Sequence, residues 1–202
     1  QIYQELATLF PKDKRVHWLL AGTYGSLQEY DKQIAELEAA IALDKEFAPA
    51  YETLGYVYRW RNQYDKAEVA FKEYARLSPG EANSRDILGD LFMKMGKFED
   101  AIRQYEEAVR MDLTFLFSQQ KIGSCLFFLG KYEEGRQAFL KAMDIPVKPA
   151  NKVYDQEGIM RGYIYEGDYA KALEAADKAI QMAGELGLPE EASFIPLVKS
   201  II

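Results

Sequence analysis

The sequence has very few of the residues that catalytic and metal sites require. Its 202 residues include one cysteine and one histidine. A single cysteine excludes a disulfide framework, and one histidine with one cysteine cannot supply the four ligands of a usual zinc site. No glycine-rich phosphate loop is present, because every glycine falls in a repeated column or in a connector. We therefore predict no metal, no cofactor, no catalytic residue and no enzymatic activity.

Basic residues and long apolar runs are also scarce. Lysine and arginine total 25 against 32 aspartates and glutamates, which gives a formal net charge of -7. Phosphate binding needs clustered basic side chains, so we predict that nucleic acid is not a partner. No apolar run reaches about 18 residues, so we predict no membrane insertion. The single thiol is compatible with a reducing compartment, and we predict a cytoplasmic location, with any targeting segment outside these residues.

The sequence does contain an internal repeat. An aromatic residue recurs at spacings of 34, 34, 34 and 37 residues, as Tyr30, Tyr64, Phe98, Tyr132 and Tyr169. A second column keeps the same register, as Leu20, Leu54, Leu88, Ile122 and Ile159. A period of this length is typical of solenoid proteins, in which each repeat buries its apolar face against its neighbours.

Each repeat has the pattern of a helical hairpin. Tyr51, Leu54 and Tyr58 lie at helical spacing and share one face of a first helix. In four of the five full repeats, a break follows at a residue that tolerates the left-handed conformation that ends a helix. These break residues are Asn62, Gly96, Gly130 and Gly167.

The whole pattern resembles the tetratricopeptide repeat. One repeat carries it as Tyr51, Leu54-Gly55, Tyr58, Asn62, Tyr64, Ala67, Phe71 and Pro79, and the next as Leu88-Gly89, Phe92, Gly96, Phe98, Ala101, Tyr105 and Ala108. The resemblance covers essentially the whole chain. It implies an all-α fold, a right-handed superhelical solenoid of antiparallel helix pairs whose first helices line a concave groove.

The register predicts about five full repeats in a single solenoid domain spanning residues 1–202. The full repeats are 14–47, 48–81, 82–115, 116–152 and 153–190, with the end of a partial repeat at 1–13 and a terminal or capping helix at 191–202. The connectors 145–152 and 184–189 are longer than the others. They are either tolerated loop insertions or segments that reshape the C-terminal part of the groove.

Two residues of chemical interest fall in packing columns. His17 occupies the column of Tyr51, which favours a packing role over that of a general base. Cys125 shares its column with Val57 and Leu91, which indicates a small buried side chain. No second histidine is available to activate the thiol.

The resemblance implies that fixed positions of each first helix face the groove, the second, fifth, ninth, twelfth and thirteenth of each repeat. We predict the partner-binding residues to be Trp18, Glu52, Tyr56, Arg59, Trp60, Asp86, Asp90, Phe127, Glu157 and Arg161. The same positions also hold Phe117, Phe128, Tyr154 and Tyr165. Trp, Tyr and Arg are the residues that binding hot spots favour. Alternatively, Phe127 and Phe128 bury against the neighbouring repeat.

One subtype of the family does not fit. Some members bind the acidic C-terminal tails of heat-shock chaperones through a clamp of lysine, asparagine and arginine residues. The matching positions here hold Trp18, Gly22, Thr53, Asn83 and Ile87 in one frame, and Glu52, Tyr56, Ile87, Phe117 and Lys121 in the next. Neither set supplies the clamp, and Glu52 would repel a carboxylate. We predict that chaperone tails are not partners.

The sequence therefore predicts a non-catalytic protein–protein interaction scaffold that binds a peptide or helix segment in the concave groove. One alternative is a structural, self-associating or regulatory docking module of a larger multidomain protein. Self-association through the ends is favoured by two apolar helix faces, formed by Ile2, Tyr3 and Leu6 and by Phe194, Leu197 and Ile201.

Overall fold

The computed structural model describes residues 2–146, 148–193 and 195–200, and the regular structure of these residues is entirely helical. The helices are α1 (Ile2–Leu9), α2 (Lys14–Ser26), α3 (Tyr30–Leu43), α4 (Ala48–Trp60), α5 (Tyr64–Leu77), α6 (Ala82–Lys94), α7 (Phe98–Met111), α8 (Leu116–Phe128), α9 (Tyr132–Met143), α10 (Pro149–Glu166), α11 (Tyr169–Glu185) and α12 (Ile195–Lys199). A 3₁₀ helix at Pro189–Ala192 precedes α12. Over the described ranges, the helices are too short or too polar to cross a membrane.

The turn inside each hairpin is closed by a residue with a left-handed backbone. Asn62 has a φ of 57° and Gly167 a φ of 85°, and Gly96 and Gly130 both have 73°, as the sequence pattern predicted. The N–H of the following residue then donates to a carbonyl five residues earlier, as from Gln63 to Tyr58 at 2.9 Å. This bond satisfies a carbonyl that the end of the helix would otherwise leave unpaired.

Two glycines in first helices allow a phenylalanine of the second helix to pack against the backbone. A Cβ added at Gly55 would lie 2.4 Å from the ring of Phe71, and one added at Gly123 would lie 2.7 Å from the ring of Phe139. Both rings are almost completely buried. Since any larger residue would displace these rings, the repeated glycine is kept for close packing despite its low helix propensity.

The helices form two compact units, divided between Leu91 and Phe92. In the N-terminal unit, α3 packs against both α2 and α4, and α4 packs against α5. In the C-terminal unit, each helix from α7 to α11 packs against the next. Packing between neighbours in sequence is the arrangement that stabilises repeat proteins. Each unit has its own buried apolar core, with Leu37, Leu54 and Phe71 in the first and Tyr105, Phe139 and Met160 in the second.

The C-terminal end differs from the prediction. The proposed boundary between residues 152 and 153 falls inside α10, which begins at Pro149, a residue well suited to the first turn of a helix. In place of one terminal helix over 191–202, the chain forms the 3₁₀ helix and the five-residue α12. Pro196 lies in the first turn of α12, where its missing N–H costs nothing.

The predicted apolar face of the terminal helix is only partly correct. Ile195 is completely buried, whereas Leu197 is 66% exposed, so the expectation that Leu197 lies on the inner face is wrong. The helix begins at Ile195, and Ile195, not Leu197, joins the buried cluster with residues of α11 and the 3₁₀ helix. Phe194, Ile201 and the side chain of Ile2, which belong to the same predictions, lie outside the described residues.

Candidate protein-binding surfaces

Tyr56 of α4 lies at the centre of the candidate surface on the N-terminal unit. Its ring meets Phe71 edge-on, with the centroids 5.2 Å apart. The guanidinium of Arg59, one turn further along α4, lies 4.9 Å from the centroid of the Tyr56 ring. A cation over an aromatic face is attracted by the ring quadrupole, so Arg59 and Tyr56 hold one another in place. Both predicted residues are half-buried and reach the surface.

Carboxylates surround this tyrosine. Burial raises the pKa of the Tyr56 hydroxyl, and the negative charges of Glu52, Asp90 and Asp86 raise it further, against the opposing charge of Arg59. These carboxylates therefore lie close enough to act on a single hydroxyl group. The structure brings together three residues that the sequence assigned to the groove from two different repeats.

Glu81 extends this negative region. The Tyr74 hydroxyl donates a 2.9 Å hydrogen bond to Glu81 Oε2. Burial, this hydrogen bond and the charge of Glu52 raise the pKa of Tyr74 to about 12. Burial also raises the pKa of Glu52, and the charge of Glu81 adds to the effect. We call Glu52, Glu81, Asp86 and Asp90 the acidic patch. Sequence reasoning missed Glu81, because it precedes α6 and occupies no groove position.

The two tryptophans have different environments. The indole N–H of Trp18 donates a 3.1 Å hydrogen bond to Thr53 Oγ1, which links α2 to α4. The Trp18 ring also meets Phe47 edge-on at 6.3 Å. Trp60, at the C-terminal end of α4, is 64% exposed. Trp18 therefore contributes to packing between repeats, while Trp60 offers most of its surface to solvent.

The C-terminal unit exposes aromatic rings on two adjacent first helices. α8 and α10 pack against each other, and each carries one exposed aromatic near its start and one near its end. These four rings are between 46% and 64% exposed, and we call them the aromatic surface: Phe117, Phe128, Tyr154 and Tyr165. At about 1.5 Å of rise per residue, the two rings on each helix are roughly 16 Å apart along its axis.

Phe127 and Phe128 are neighbours in sequence but have opposite environments. Phe127 is 6% exposed, and its ring stacks on Phe139 with the centroids 5.7 Å apart. A Cβ added at Gly135 or at Gly162 would lie within 2.4 or 2.7 Å of the Phe127 ring. Phe127 is therefore a core residue that fills space between repeats. Phe128 stacks on Phe98 at 4.9 Å but stays mostly exposed.

Glu157 and Arg161 lie on α10 between Tyr154 and Tyr165. Glu157 is 4% exposed, its Oε2 lies 3.9 Å from Arg161 Nη1, and its Oε1 has no hydrogen-bond partner. Burial raises the pKa of Glu157 to about 7, against the charge of Arg161. The Arg161 guanidinium lies 5.0 Å from the centroid of the Tyr154 ring. Glu157 is thus enclosed, and Arg161 is the partly exposed member of the pair.

Nothing in the described part of the chain resembles a metal centre. Over residues 2–146, 148–193 and 195–200, no group of three or more His, Cys, Asp or Glu side chains is arranged to hold a metal ion. Cys125 is completely buried within α8, in agreement with its packing column.

Comparisons with known sequences match two parts of the chain to the tetratricopeptide repeat. Tetratricopeptide repeat profiles match residues 14–47 and residues 88–145. A segment of 76 residues is 37% identical to the cell division cycle protein 27 homolog of Caenorhabditis elegans. That match covers 37% of this chain and only 10% of the nematode protein.

Solved structures of low sequence identity share the fold. YrrB, a tetratricopeptide repeat protein with an unusual peptide-binding site, gives a TM-score of 0.71 at 22% identity, over 96% of this chain and 98% of that chain. MamA from Desulfovibrio magneticus RS-1 gives 0.72 at 14% identity, over 85% and 96%. Yeast Tom70 gives 0.64 at 17% identity, over 98% of this chain and 42% of that chain. These likenesses confirm the predicted all-α helical repeat solenoid. With its recurring hairpins and its two profile matches, the chain belongs to the tetratricopeptide repeat family.

Proposed function

We propose that this protein binds a peptide or helical segment of a partner protein through the exposed faces of its first helices, and catalyses no reaction on it. The observation that carries the proposal is the position of the exposed aromatic rings. Trp60, Phe117, Phe128, Tyr154 and Tyr165 all occupy predicted groove positions and are 46–64% exposed. Rigid aromatic side chains bury large areas at little entropic cost, which makes them effective anchors for a partner.

The acidic patch gives the N-terminal unit a preference for basic partners. Four carboxylates lie around Tyr56 and Tyr74. The guanidinium of Arg59 packs over the face of the Tyr56 ring. A segment that places a lysine or arginine beside Trp60 would match this charge. Electrostatic complementarity of this kind acts mainly on specificity and association rate, and it weakens with salt. YrrB provides a precedent for peptide binding on the same fold.

A peptide selection tests the proposal. Peptides would be selected from a random library on the full chain, and their dissociation constants would be measured for Trp60→Ala and Phe128→Ala. Val69→Ala and Leu113→Ala are matched controls, because both residues are at least as exposed as the two aromatics and lie outside the groove positions. We expect a loss of about tenfold or more from at least one groove variant and less than about twofold from the controls.

Two results would overturn it. One is a failure to enrich any peptide on the folded chain. The other is equal binding to the groove and control variants when circular dichroism shows that all four retain their helical content. For the acidic patch, we expect Glu52→Gln with Asp90→Asn to weaken basic peptides and to reduce the salt dependence of binding.

Self-association is a second candidate. Leu9, Phe10 and Leu43 are exposed and line an open cleft of about 730 Å³ beside the α1–α2 connection. A second copy could cover these side chains. Sedimentation equilibrium at increasing concentration tests this candidate with Leu9→Ser and Phe10→Ser: association that both changes abolish supports it, and a monomer at all concentrations contradicts it.

A further inference from the structure

Both ring nitrogens of His17 face hydrogen-bond acceptors. Nδ1 lies 2.7 Å from Glu36 Oε2, and Nε2 lies 3.1 Å from the carbonyl oxygen of Pro11. A neutral imidazole has one N–H and one lone pair, so one of its nitrogens would have to direct a lone pair at an acceptor. The imidazolium ion donates from both nitrogens and satisfies both contacts. The geometry therefore favours the protonated ring.

These contacts join three parts of the N-terminal unit. His17 belongs to α2, Glu36 to α3, and Pro11 to the connection between α1 and α2. The side chains of His17 and Glu36 are 16% and 24% exposed, so water screens their interaction less than it would on the open surface. The sequence prediction of a packing role for His17 is incomplete, because the ring is a polar link between elements.

We propose that His17 is a pH-sensitive clasp that holds the α1–α2 connection against the α2–α3 hairpin. The protonated ring bridges Glu36 and Pro11 and fixes the end of α1. When the ring loses its proton, one of the two hydrogen bonds is lost, and the connection with α1 loosens. The clasp adjoins the exposed apolar residues Leu9 and Phe10. The protonation state of His17 therefore determines how strongly these two residues are held in place.

The surrounding charges favour the protonated ring. Burial by itself lowers the pKa of His17, but the hydrogen bonds to Glu36 and Pro11 and the charges of Glu36 and Asp13 outweigh it, and the pKa is raised above 6.5. The neighbouring cations on α2 are each held in an ion pair, Lys14 with Asp44 and Arg15 with Asp13. The one charged residue of α1, which also packs on α2, is Glu5.

The sign of the pH dependence follows from this raised pKa. The clasp contributes its full stabilisation below the unfolded value of 6.5 and loses it as the pH rises through the folded value. The transition therefore falls above 6.5, and α1 loosens as the pH rises through it.

Nuclear magnetic resonance can observe the clasp directly, since one histidine gives one set of imidazole signals. We expect His17 to titrate above 6.5 in the full chain. Glu36→Gln should lower this pKa, while Glu46→Gln, an equal change of charge at an exposed site, should leave it unaltered. A His17 pKa at or below 6.5, or one that both variants shift equally, would overturn the proposal.

Amide exchange tests the consequence for the fold. After correction for the intrinsic pH dependence of exchange, we expect protection of α1 and of residues 10–13 to fall severalfold across the His17 titration, while protection of α4 and α5 stays constant. In His17→Gln the protection should be low and independent of pH. Protection of α1 that is the same on both sides of the titration in the unmodified chain would contradict the clasp.

Discussion

The side-chain amide of Gln120 donates a 2.6 Å hydrogen bond to Asp155 Oδ1, and this bond joins the first helices of two successive repeats. Asp155 is completely buried, and its Oδ2 has no hydrogen-bond partner. The corresponding residues of the two preceding repeats, Ser84 and Ser118, are also buried but carry no charge. Burial raises the pKa of Asp155 to about 6, against the hydrogen bond from Gln120. A carboxyl group thus occupies a position that elsewhere holds a small neutral side chain.

Asp155→Asn should stabilise the protein at alkaline pH and flatten its stability profile. The folded chain binds the Asp155 proton more tightly than the unfolded chain, so stability falls as the pH rises from the unfolded value of 3.8 to about 6. Asparagine keeps the acceptor for Gln120 and removes the buried charge, which gives a gain of up to about 3 kcal/mol near pH 8 and little near pH 4. Thermal melts at both pH values check this, with the exposed Asp144→Asn as control. Parallel profiles for Asp155→Asn and the unmodified chain would contradict it.

Gly55→Ala and Gly22→Ala should have opposite effects, although both place a methyl group inside a first helix. A Cβ at Gly55 would lie 2.4 Å from the fully buried ring of Phe71, while one at Gly22 has no atom within 4 Å. We expect Gly55→Ala to lower the free energy of unfolding by about 1–3 kcal/mol through overpacking. Gly22→Ala should raise it by up to about 1 kcal/mol through helix propensity. Urea denaturation measures both, and a stabilised Gly55→Ala would show that Phe71 can move aside.

The hairpins and their turns could be predicted because they depend on residues close in sequence. Helical spacing and a residue suited to positive φ determined the break at Asn62 and Gly130 without knowledge of any distant contact. The resemblance also identified the first helices as the place to look for exposed aromatics. Glutamine does not favour the left-handed conformation, yet Gln28 adopts a φ of 60° at the turn of the first repeat, where Glu29 donates the same closing hydrogen bond to Tyr24.

The exposure of individual groove residues could not be predicted, because it depends on neighbours many residues away. Phe127 lies in a groove column, but the glycines at 135 and 162 open a space that its ring fills. Glu157 also lies in a groove column of α10, yet it is only 4% exposed. Periodicity identifies the face of a helix, while the size of residues on adjacent helices decides which side chains on that face reach solvent.

Phe127→Ala and Phe128→Ala should separate stability from binding. Removing the buried Phe127 ring leaves a cavity against Phe139, and we expect a loss of about 3–5 kcal/mol in the free energy of unfolding. Phe128 is mostly exposed, so its removal should cost less than about 1 kcal/mol while weakening any ligand of the aromatic surface. Denaturant unfolding and titration with a selected peptide measure the two effects. Similar losses of stability from both variants would show that Phe128 also belongs to the core.

Arg136→Lys should be far more costly than Arg110→Lys. Arg136 of α9 has a side chain only 6% exposed, and it donates to Glu166 at 2.6 Å and to Glu133 at 2.8 Å. Its guanidinium also lies 4.1 Å from the centroid of the Tyr163 ring. Lysine keeps the charge but cannot donate in two directions and stack at once, so we expect a loss of about 1–3 kcal/mol.

Arg110 supplies the matched control on α7. It also pairs with a glutamate one turn earlier, Glu107, but its side chain is 71% exposed, so lysine should change stability there by less than about 0.5 kcal/mol. The denaturant guanidinium chloride is a salt and would screen both ion pairs. The comparison is therefore made by urea denaturation at low salt. Equal midpoints for the two variants would mean that the ring and the two carboxylates around Arg136 add nothing beyond its charge.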